Sequence, residues 1–128
     1  MKFLRIFVFL TISLHAETVR DLKYDTKHER NTLDFYPALK KGEEPAPVFV
    51  WFHGGGFRNG DKNQIEKYGR STLEKFQKAG YAIVSCNYPF LGKDMEYRDI
   101  VDHCGRAVKF VRSQSKSWDI DPDRLACG

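Results

Sequence analysis

An α/β fold with a mostly parallel sheet is the architecture that this sequence predicts, and three observations predict it. Residues 48–52 and 81–84 are apolar runs with the length and composition of buried strands. Apolar residues recur at helical spacing between them, over residues 65–79, and again after them, over residues 100–111. A third apolar segment begins at residue 125. Strands that alternate with helices indicate a sheet whose parallel strands are joined by helical crossovers.

The predicted strands differ in how much of their surface they bury. Residues 48–52 are apolar on both faces, as expected of a central strand covered by helices on either side. Residues 31–36 are an earlier strand candidate, closed by Pro37 and set within the otherwise polar, turn-rich residues 17–45. Residues 81–84 form the next buried strand.

Two helices are predicted from the apolar spacing. The first is closed by Gly80 as a C-cap, and the second has Asp94 as its N-cap. The apolar stripe of the first consists of Ile65, Tyr68, Thr72, Leu73, Phe76 and Ala79, and that of the second consists of Ile100, Cys104, Ala107, Val108 and Val111.

The C-terminal residues predict an unfinished sheet. Residues 118–124 form a predicted loop, and Leu125 begins a further strand. A sheet that ends inside a buried strand has an open edge and uncovered apolar faces. We therefore expect residues 17–128 to be the N-terminal part of a single larger domain, with poor solubility and no cooperative unfolding on their own.

The first sixteen residues have the pattern of a secretory signal peptide. Lys2 and Arg5 come early, residues 6–14 are apolar, and cleavage is expected after Ala16. The apolar stretch is too short for a stable membrane span. We therefore expect an exported protein, periplasmic or secreted, without a membrane span after the signal is removed.

The charge of the mature chain is close to neutral. The leader carries two of the 21 basic residues and none of the 17 acidic ones, which leaves 19 − 17 = +2. The sequence contains no basic tract, so nucleic acid is not an expected partner. Nothing in the composition indicates an oligomeric state.

Three cysteines are an odd number for an exported protein. Cys86, Cys104 and Cys127 each lie in an apolar segment, which favours buried free thiols, and Cys127 is expected to face the core. A disulfide between two of the three remains possible. No Cys/His spacing is typical of a metal site, and we expect neither a metal nor a cofactor.

The residues His53, Gly54, Gly55 and Gly56 follow directly after the central strand. Consecutive glycines add backbone entropy to the unfolded chain and contribute no side-chain packing. Such a run is tolerated where the backbone itself must be reached, for instance by a developing anion. N–H groups that point into a cleft from such a turn meet the physical requirement for an oxyanion hole.

Two nucleotide-binding interpretations of these glycines fail on spacing. A dinucleotide fingerprint needs G-x-G-x-x-G, and Gly60 comes one residue too late for its last glycine. Gly55 and Gly60 have the spacing of a phosphate loop, but Asp61 stands where that loop needs a lysine. An acidic side chain there would repel the phosphate.

Three segments resemble one protein family. Residues 51–57 resemble the strand and HGGG loop of the α/β-hydrolase superfamily, in the branch of hormone-sensitive-lipase-like carboxylesterases. Asn87-Tyr88-Pro89 stands where relatives often have aspartate, tyrosine and arginine. Residues 119–126 are similar to the approach to the family's nucleophile strand. The resemblance implies the N-terminal part of an α/β-hydrolase fold.

The resemblance also implies roles for the loop residues. The backbone N–H groups of Gly55 and Gly56 would face the oxyanion, and Gly54 would shape the turn. His53 would brace the loop and would not be the catalytic base. Phe57 would line the substrate pocket or pack in the core. Tyr88 would fasten the loop or only pack, and packing is the expectation.

Four other polar residues are expected to have no catalytic role. Asp61 and Lys62 are interpreted as solvated or capping residues. His28 lies in a charged stretch and is expected to be exposed, and His103 is expected at the surface or the boundary of the second helix.

No catalytic triad can be assigned within this chain. In the family the nucleophile elbow G-x-S-x-G follows this strand, and Gly128 would be its first glycine. We expect the full-length protein to hydrolyse a small-molecule carboxylic ester through a serine acyl-enzyme, and the 128-residue chain alone to be inactive. The alternatives are an amide-cleaving hydrolase, formamidase-like or peptidase-like, and a catalytically dead binding protein.

Overall fold

A five-stranded mixed sheet is the centre of the structure. The computed structural model describes residues 17–128, so the predicted signal peptide lies outside the described residues. The strands are β1 (Val19–Lys23), β2 (Thr32–Tyr36), β3 (Ala46–Phe52), β4 (Ala82–Cys86) and β5 (Ile120–Cys127). Their order across the sheet is β1-β2-β4-β3-β5.

Three helices accompany the sheet: α1 (Gln64–Lys78), α2 (Tyr97–Ser113) and the single turn α3 (Ser115–Trp118). Alternate residues of β4 point to opposite faces of the sheet. On one face, Val84 packs with Ala107 and Val111 of α2. On the other face, Ile83 packs with Leu73 of α1. The two long helices therefore cover opposite faces, as the apolar composition of the central strands predicted.

The predicted α/β class is confirmed, and the strands joined by helices are parallel. β3 pairs in parallel with both β4 and β5. The N-terminal strands make the sheet mixed, because β2 pairs antiparallel with β1 and with β4. The pattern is that of a partial α/β-hydrolase fold.

The N-terminal edge strand β1 is not predicted by the sequence. Its residues are mostly exposed, and Asp21 has a positive φ of 56° where the register with β2 shifts. An irregular, polar edge strand has no alternating apolar pattern to reveal it. β5 is also longer than predicted, because it includes the polar residues before Leu125.

The predicted N-cap of α2 is wrong. The structure places Glu96, not Asp94, at this position, where the side chain of Glu96 accepts from the N–H of Asp99. The carboxylate of Asp99 accepts from the N–H of Glu96 at 2.8 Å. This reciprocal pair satisfies two backbone donors, which a cap at Asp94 would leave to solvent.

Part of the apolar stripe of α1 is exposed. Leu73 is buried, whereas Tyr68 and Phe76 are 74% and 39% exposed. These two side chains line an apolar groove between α1 and β3, together with Phe49 and Trp51. Within residues 17–128, no further element packs over this groove.

The cysteines are all free thiols in the described part of the chain. Cys86 is buried and Cys104 is half-buried, but Cys127 is exposed. The expectation that Cys127 faces the core is therefore wrong. β5 is an edge strand, and an apolar neighbourhood in sequence does not by itself cover such a strand.

No helix within residues 17–128 combines the length and the apolar character needed to cross a membrane. The same residues contain no group of three or more His, Cys, Asp or Glu side chains with the geometry of a metal site.

Candidate active site

The glycine loop, defined as residues 53–60, follows the carboxyl end of β3. Gly55 and Gly56 have φ values of +129° and +62°, which favour glycine over residues with side chains. A Cβ atom on Gly55 would collide with the backbone carbonyl of Asn59. The N–H of Arg58 donates to the carbonyl of Gly55 at 3.1 Å and closes a tight turn. The glycine at position 55 is therefore required by the fold of the loop.

Successive backbone donors of this loop are unpaired. Among the residues that the structure describes, the N–H groups of residues 54–57 donate no hydrogen bond, and those of Gly55 and Gly56 are in the middle of this run. Both residues are exposed. Neighbouring N–H groups in a positive-φ turn form a concave site that attracts an anion. The loop can thus stabilise negative charge on a bound oxygen atom.

His53 lies beneath this loop and is only 2% exposed. Its Nδ1 is 2.8 Å from the carbonyl oxygen of Gly54. The imidazole stacks on the ring of Tyr88 with centroids 4.4 Å apart. The Tyr88 hydroxyl donates to the backbone carbonyl of His53. Tyr88 therefore fastens the start of the loop and does more than pack against it.

Phe57 lies on the surface beside the glycines. It is 41% exposed, and its φ of 60° is unusual for a residue with a side chain. Its ring meets Tyr97 edge to face at 5.5 Å, and its carbonyl accepts from the N–H of Leu91 at 2.8 Å. A cleft of about 580 Å³ opens next to it, lined by Arg58, Leu91 and Tyr97 among others. Phe57 is therefore not packed in the core, and its contact with substrate stays a prediction.

Asn87 anchors the segment that leaves the loop. Its Oδ1 accepts from the N–H of Lys62 at 2.8 Å, and its Nδ2 donates to Asp61 at 3.1 Å. Asp61 in turn accepts from the N–H of Asn63, the N-cap of α1, at 2.9 Å. One amide side chain therefore joins the end of β4 to the entry of α1.

Lys62 is buried, so its predicted solvated or capping position is wrong. Its Nζ lies 2.8 Å from Asp34 and 2.7 Å from Asp21, and Asp34 is 1% exposed. Burial lowers the pKa of Lys62, but the hydrogen bonds to Asp21 and Asp34 outweigh this effect and raise it above its ordinary value. The physical reason for the error is tertiary: the acidic partners come from β1 and β2.

Arg30 is a site residue that the sequence analysis missed. Its guanidinium donates to the carbonyl oxygens of Tyr88 and Gly60 at 2.8 and 3.1 Å. It also lies over the ring of Phe90 at 3.9 Å. An arginine in a charged, turn-rich stretch has no sequence pattern that distinguishes it from exposed neighbours.

Gly60 is a second residue whose role was missed. Its φ is +111°, and a Cβ atom there would collide with the ring of His53 and the carbonyl of Gly54. The Asn59-Gly60 dipeptide is a turn signal, which is the one sequence feature that could have indicated this position.

The two other histidines lie away from the glycines. His103 is 8% exposed and its Nδ1 is 3.0 Å from Oδ1 of Asn31, so it is buried and the expected position at the surface or the boundary is wrong. The turn before β2 covers the face of α2 that carries His103. The spacing of apolar residues in α2 alone could not show this contact. His28 is half-buried, and its Nδ1 accepts from the N–H of Arg30 at 3.0 Å.

Both buried histidines have lowered pKa values. Burial is the main cause at His53 and at His103, and a neighbouring arginine, Arg30 or Arg106, adds to it. The unfolded chain therefore takes up protons near the ordinary value of 6.5, where the folded chain does not. Carboxylates such as those of Asp25 and Glu66 also have lowered pKa values. They affect the free energy of unfolding in a separate pH window, below their ordinary pKa values of 3.8 and 4.5.

We expect the free energy of unfolding to fall as the pH decreases from neutrality through 6.5. The sign follows because the unfolded state binds more protons in this window. Urea denaturation of the full-length protein at several pH values measures the slope. The variant His103→Gln should reduce that slope, and a slope that it leaves unchanged would contradict the assignment.

The end of β5 lies beside the start of the glycine loop. The N–H of Gly128 donates to the carbonyl of Val50 at 3.1 Å, and its carbonyl accepts from the N–H of Phe52 at 2.8 Å. Gly128 is thus paired with the last residues of β3, directly before His53. Carboxyl ends of parallel strands are where ligands bind in open α/β sheets.

Comparison with known proteins identifies a family and a fold. The BD-FAE family model matches residues 33–128 of the chain. A search of curated proteins found no significant sequence match. Three solved structures illustrate the fold similarity. A truncated carbohydrate esterase from gut microbiota is 18% identical with a TM-score of 0.71, and the match covers 88% of this chain and 38% of that one.

Two bacterial esterases have similar folds. Esterase B from Lactobacillus rhamnosis is 20% identical with a TM-score of 0.72, and the match covers 87% of this chain and 34% of that one. The thermophilic esterase Est2 from Thermogutta terrifontis is 24% identical with a TM-score of 0.63, covering 87% of this chain and 38% of that one. The chain therefore spans little more than a third of each of these structures.

Proposed function

Because the chain belongs to the BD-FAE family, we propose that the full-length protein hydrolyses carboxylic esters through a serine acyl-enzyme. One observation carries the proposal: the unpaired N–H groups of Gly55 and Gly56 lie side by side at the carboxyl end of the central strand. Such donors stabilise the oxyanion of a tetrahedral intermediate without reorganising during the reaction. The solved esterases with this fold support the same reaction class.

The nucleophile is expected to follow β5. Gly128 pairs with β3 next to His53, so the residues after it would emerge beside the glycine loop. A serine there would attack the ester carbonyl carbon, and the carbonyl oxygen would become the oxyanion facing Gly55 and Gly56. The N–H of the residue after the serine would be the third donor. Collapse of the intermediate would expel the alcohol and leave the acyl-enzyme for water to hydrolyse.

The described residues support this reaction without performing its bond-making steps. His53 is buried and hydrogen-bonded to its own loop, so it braces the loop and does not act as the base. Phe57 is exposed next to the glycines and would contact the acyl or alcohol group. We propose export through the N-terminal signal peptide, and we assign residues 17–128 no activity when they are separated from a nucleophile and base.

The test is an ester assay. The full-length protein should hydrolyse short p-nitrophenyl esters, and residues 17–128 alone should not, because the attacking group is missing. A p-nitroanilide of the same acyl group distinguishes esterase from amidase activity. Hydrolysis of the anilide but not of the ester would favour the amide-cleaving alternative. If neither substrate is cleaved under any condition, the protein is better explained as a binding protein with a hydrolase fold.

A further inference from the structure

We propose that Arg30 is a positioning residue of the glycine loop, which holds His53 as the neutral tautomer with its proton on Nδ1. Through His53, Arg30 holds the carbonyl of Gly54 in place. The position of this carbonyl in turn sets the direction of the N–H groups of Gly55 and Gly56. The catalytic consequence rests on the proposed function, whereas the tautomer is a property of the folded protein that can be observed without catalysis.

The hydrogen-bond partners of His53 determine its tautomer. Its Nδ1 lies 2.8 Å from the carbonyl oxygen of Gly54, which can only accept, so Nδ1 carries the proton. The Tyr88 hydroxyl, 3.4 Å from Nδ1, donates its own proton to the carbonyl of His53, so it does not oppose this assignment. In a neutral imidazole Nε2 is then an acceptor. Among the described residues, the donor that faces Nε2 is Nη2 of Arg30 at 3.4 Å. The two contacts are compatible with one tautomer.

The guanidinium of Arg30 is held in place independently of the imidazole. Nε donates to the carbonyl of Tyr88 at 2.8 Å, and Nη2 donates to the carbonyl of Gly60 at 3.1 Å and to Oδ1 of Asn87 at 3.2 Å. The ring of Phe90 lies under the guanidinium at 3.9 Å. A planar, permanently charged group with several donors suits this set of partners, which a lysine could satisfy only in part. Nη2 has two hydrogens for three acceptors, so Nε2 of His53 shares a hydrogen with one of these oxygens, and the guanidinium is held in a fixed position against the imidazole.

Protonation of His53 would disrupt this arrangement. A proton on Nε2 would place a second cation and a second donor against the guanidinium. The charged groups that face the imidazole are Arg30 and Asp61, and the Tyr88 hydroxyl packs beside it. Burial lowers the pKa of His53 most, and the charge of Arg30 lowers it further against the opposing effects of Asp61 and Gly54. The imidazole of His53 is thus kept neutral in mildly acidic solution.

The experiment compares Arg30→Met and Arg30→Lys with the unaltered full-length protein. Histidine ring nitrogens are followed by ¹H–¹⁵N NMR against pH, and ester hydrolysis is measured in parallel. In the unaltered protein we expect Nδ1–H at His53 and a pKa below 6.5. In Arg30→Met the pKa should rise, and kcat should fall about tenfold or more with a smaller change in KM, because the loop donors are misplaced. A new acidic limb should appear in the kcat profile, and Arg30→Lys should recover part of the loss.

The control is Arg112→Met, which removes an exposed arginine from the last turn of α2. The proposal is overturned if Arg30→Met leaves the tautomer and pKa of His53 unchanged, or if an active protein keeps its kcat in that variant. It is also overturned if both Arg30 variants are unfolded at ambient temperature, since a purely structural role would then suffice. An unaltered protein that cleaves no ester contradicts the proposed function, and the NMR comparison still decides on the tautomer.

Discussion

Replacing Gly55 by alanine should lower kcat for ester hydrolysis by about 10²–10³-fold in the full-length protein, which is the effect of losing one oxyanion donor. The added Cβ would collide with the carbonyl of Asn59, and the φ of +129° is strained for alanine. The turn must therefore shift, and the N–H of residue 55 no longer points toward the proposed oxyanion. Kinetics on a p-nitrophenyl ester measure the loss.

Two comparison variants separate the donor from general effects of glycine replacement. Gly56 has a φ of +62°, in the αL region that alanine adopts at a smaller cost than a φ of +129°, and no atom lies within 4 Å of its Cβ, so the effect of Gly56→Ala on kcat should be smaller. Gly105→Ala lies within α2, also has open space, and should retain full activity with slightly higher stability. Equal losses in Gly55→Ala and Gly105→Ala would show that the glycine loop has no special role in the reaction.

The variant Lys62→Met should lower the free energy of unfolding by about 3–5 kcal/mol, because it leaves the buried carboxylate of Asp34 without its cation. Asp34 is 1% exposed, and the Nζ of Lys62 is 2.8 Å from it. Arg20 approaches Asp34 only to 3.8 Å and is half exposed, so it compensates poorly. The ion pair also connects β2 to the segment between the glycine loop and α1. Urea denaturation of the full-length protein measures the change.

Lys109→Met is the matched control. Lys109 is exposed on α2 and forms no ion pair among the described residues, so its replacement should change the free energy of unfolding by less than about 0.5 kcal/mol. A Lys62→Met variant as stable as Lys109→Met would mean that Asp34 finds another partner. The double variant Lys62→Met with Asp34→Leu should recover part of the stability, because it removes both buried charges.

Much of the fold could be predicted because its signals are local. β3 and β4 are continuous apolar runs, and α1 and α2 have apolar residues at helical spacing, so each element is recognisable without its neighbours. β1 could not be predicted, since an exposed, irregular edge strand has no apolar periodicity. The burial of Tyr68 and Phe76 was overestimated, because periodicity shows which face is apolar but not what covers it.

The candidate site likewise has residues that the sequence reveals and residues that it does not. The glycines at positions 55 and 56 are visible in the sequence, since only a backbone requirement explains consecutive glycines after a buried strand. Arg30 and Lys62 were not identified, because the partners of Arg30 are 23 to 58 residues away and those of Lys62 come from strands whose pairing was unknown. A charged residue is assigned to the surface unless the sequence indicates its partner. For Arg30 and Lys62 the sequence indicated no partner.

The sequence by itself determined the buried strands, the two long helices and the place where the backbone is exposed, because dihedral preferences and apolar periodicity act over a few residues. Only the tertiary structure decided what supports that backbone. The fold brings the turn before β2, the end of β4 and the entry to α1 together beneath the glycine loop. Hydrogen bonds and ion pairs depend on distances of about 3 Å between segments far apart in sequence, and that proximity exists only once the sheet has formed.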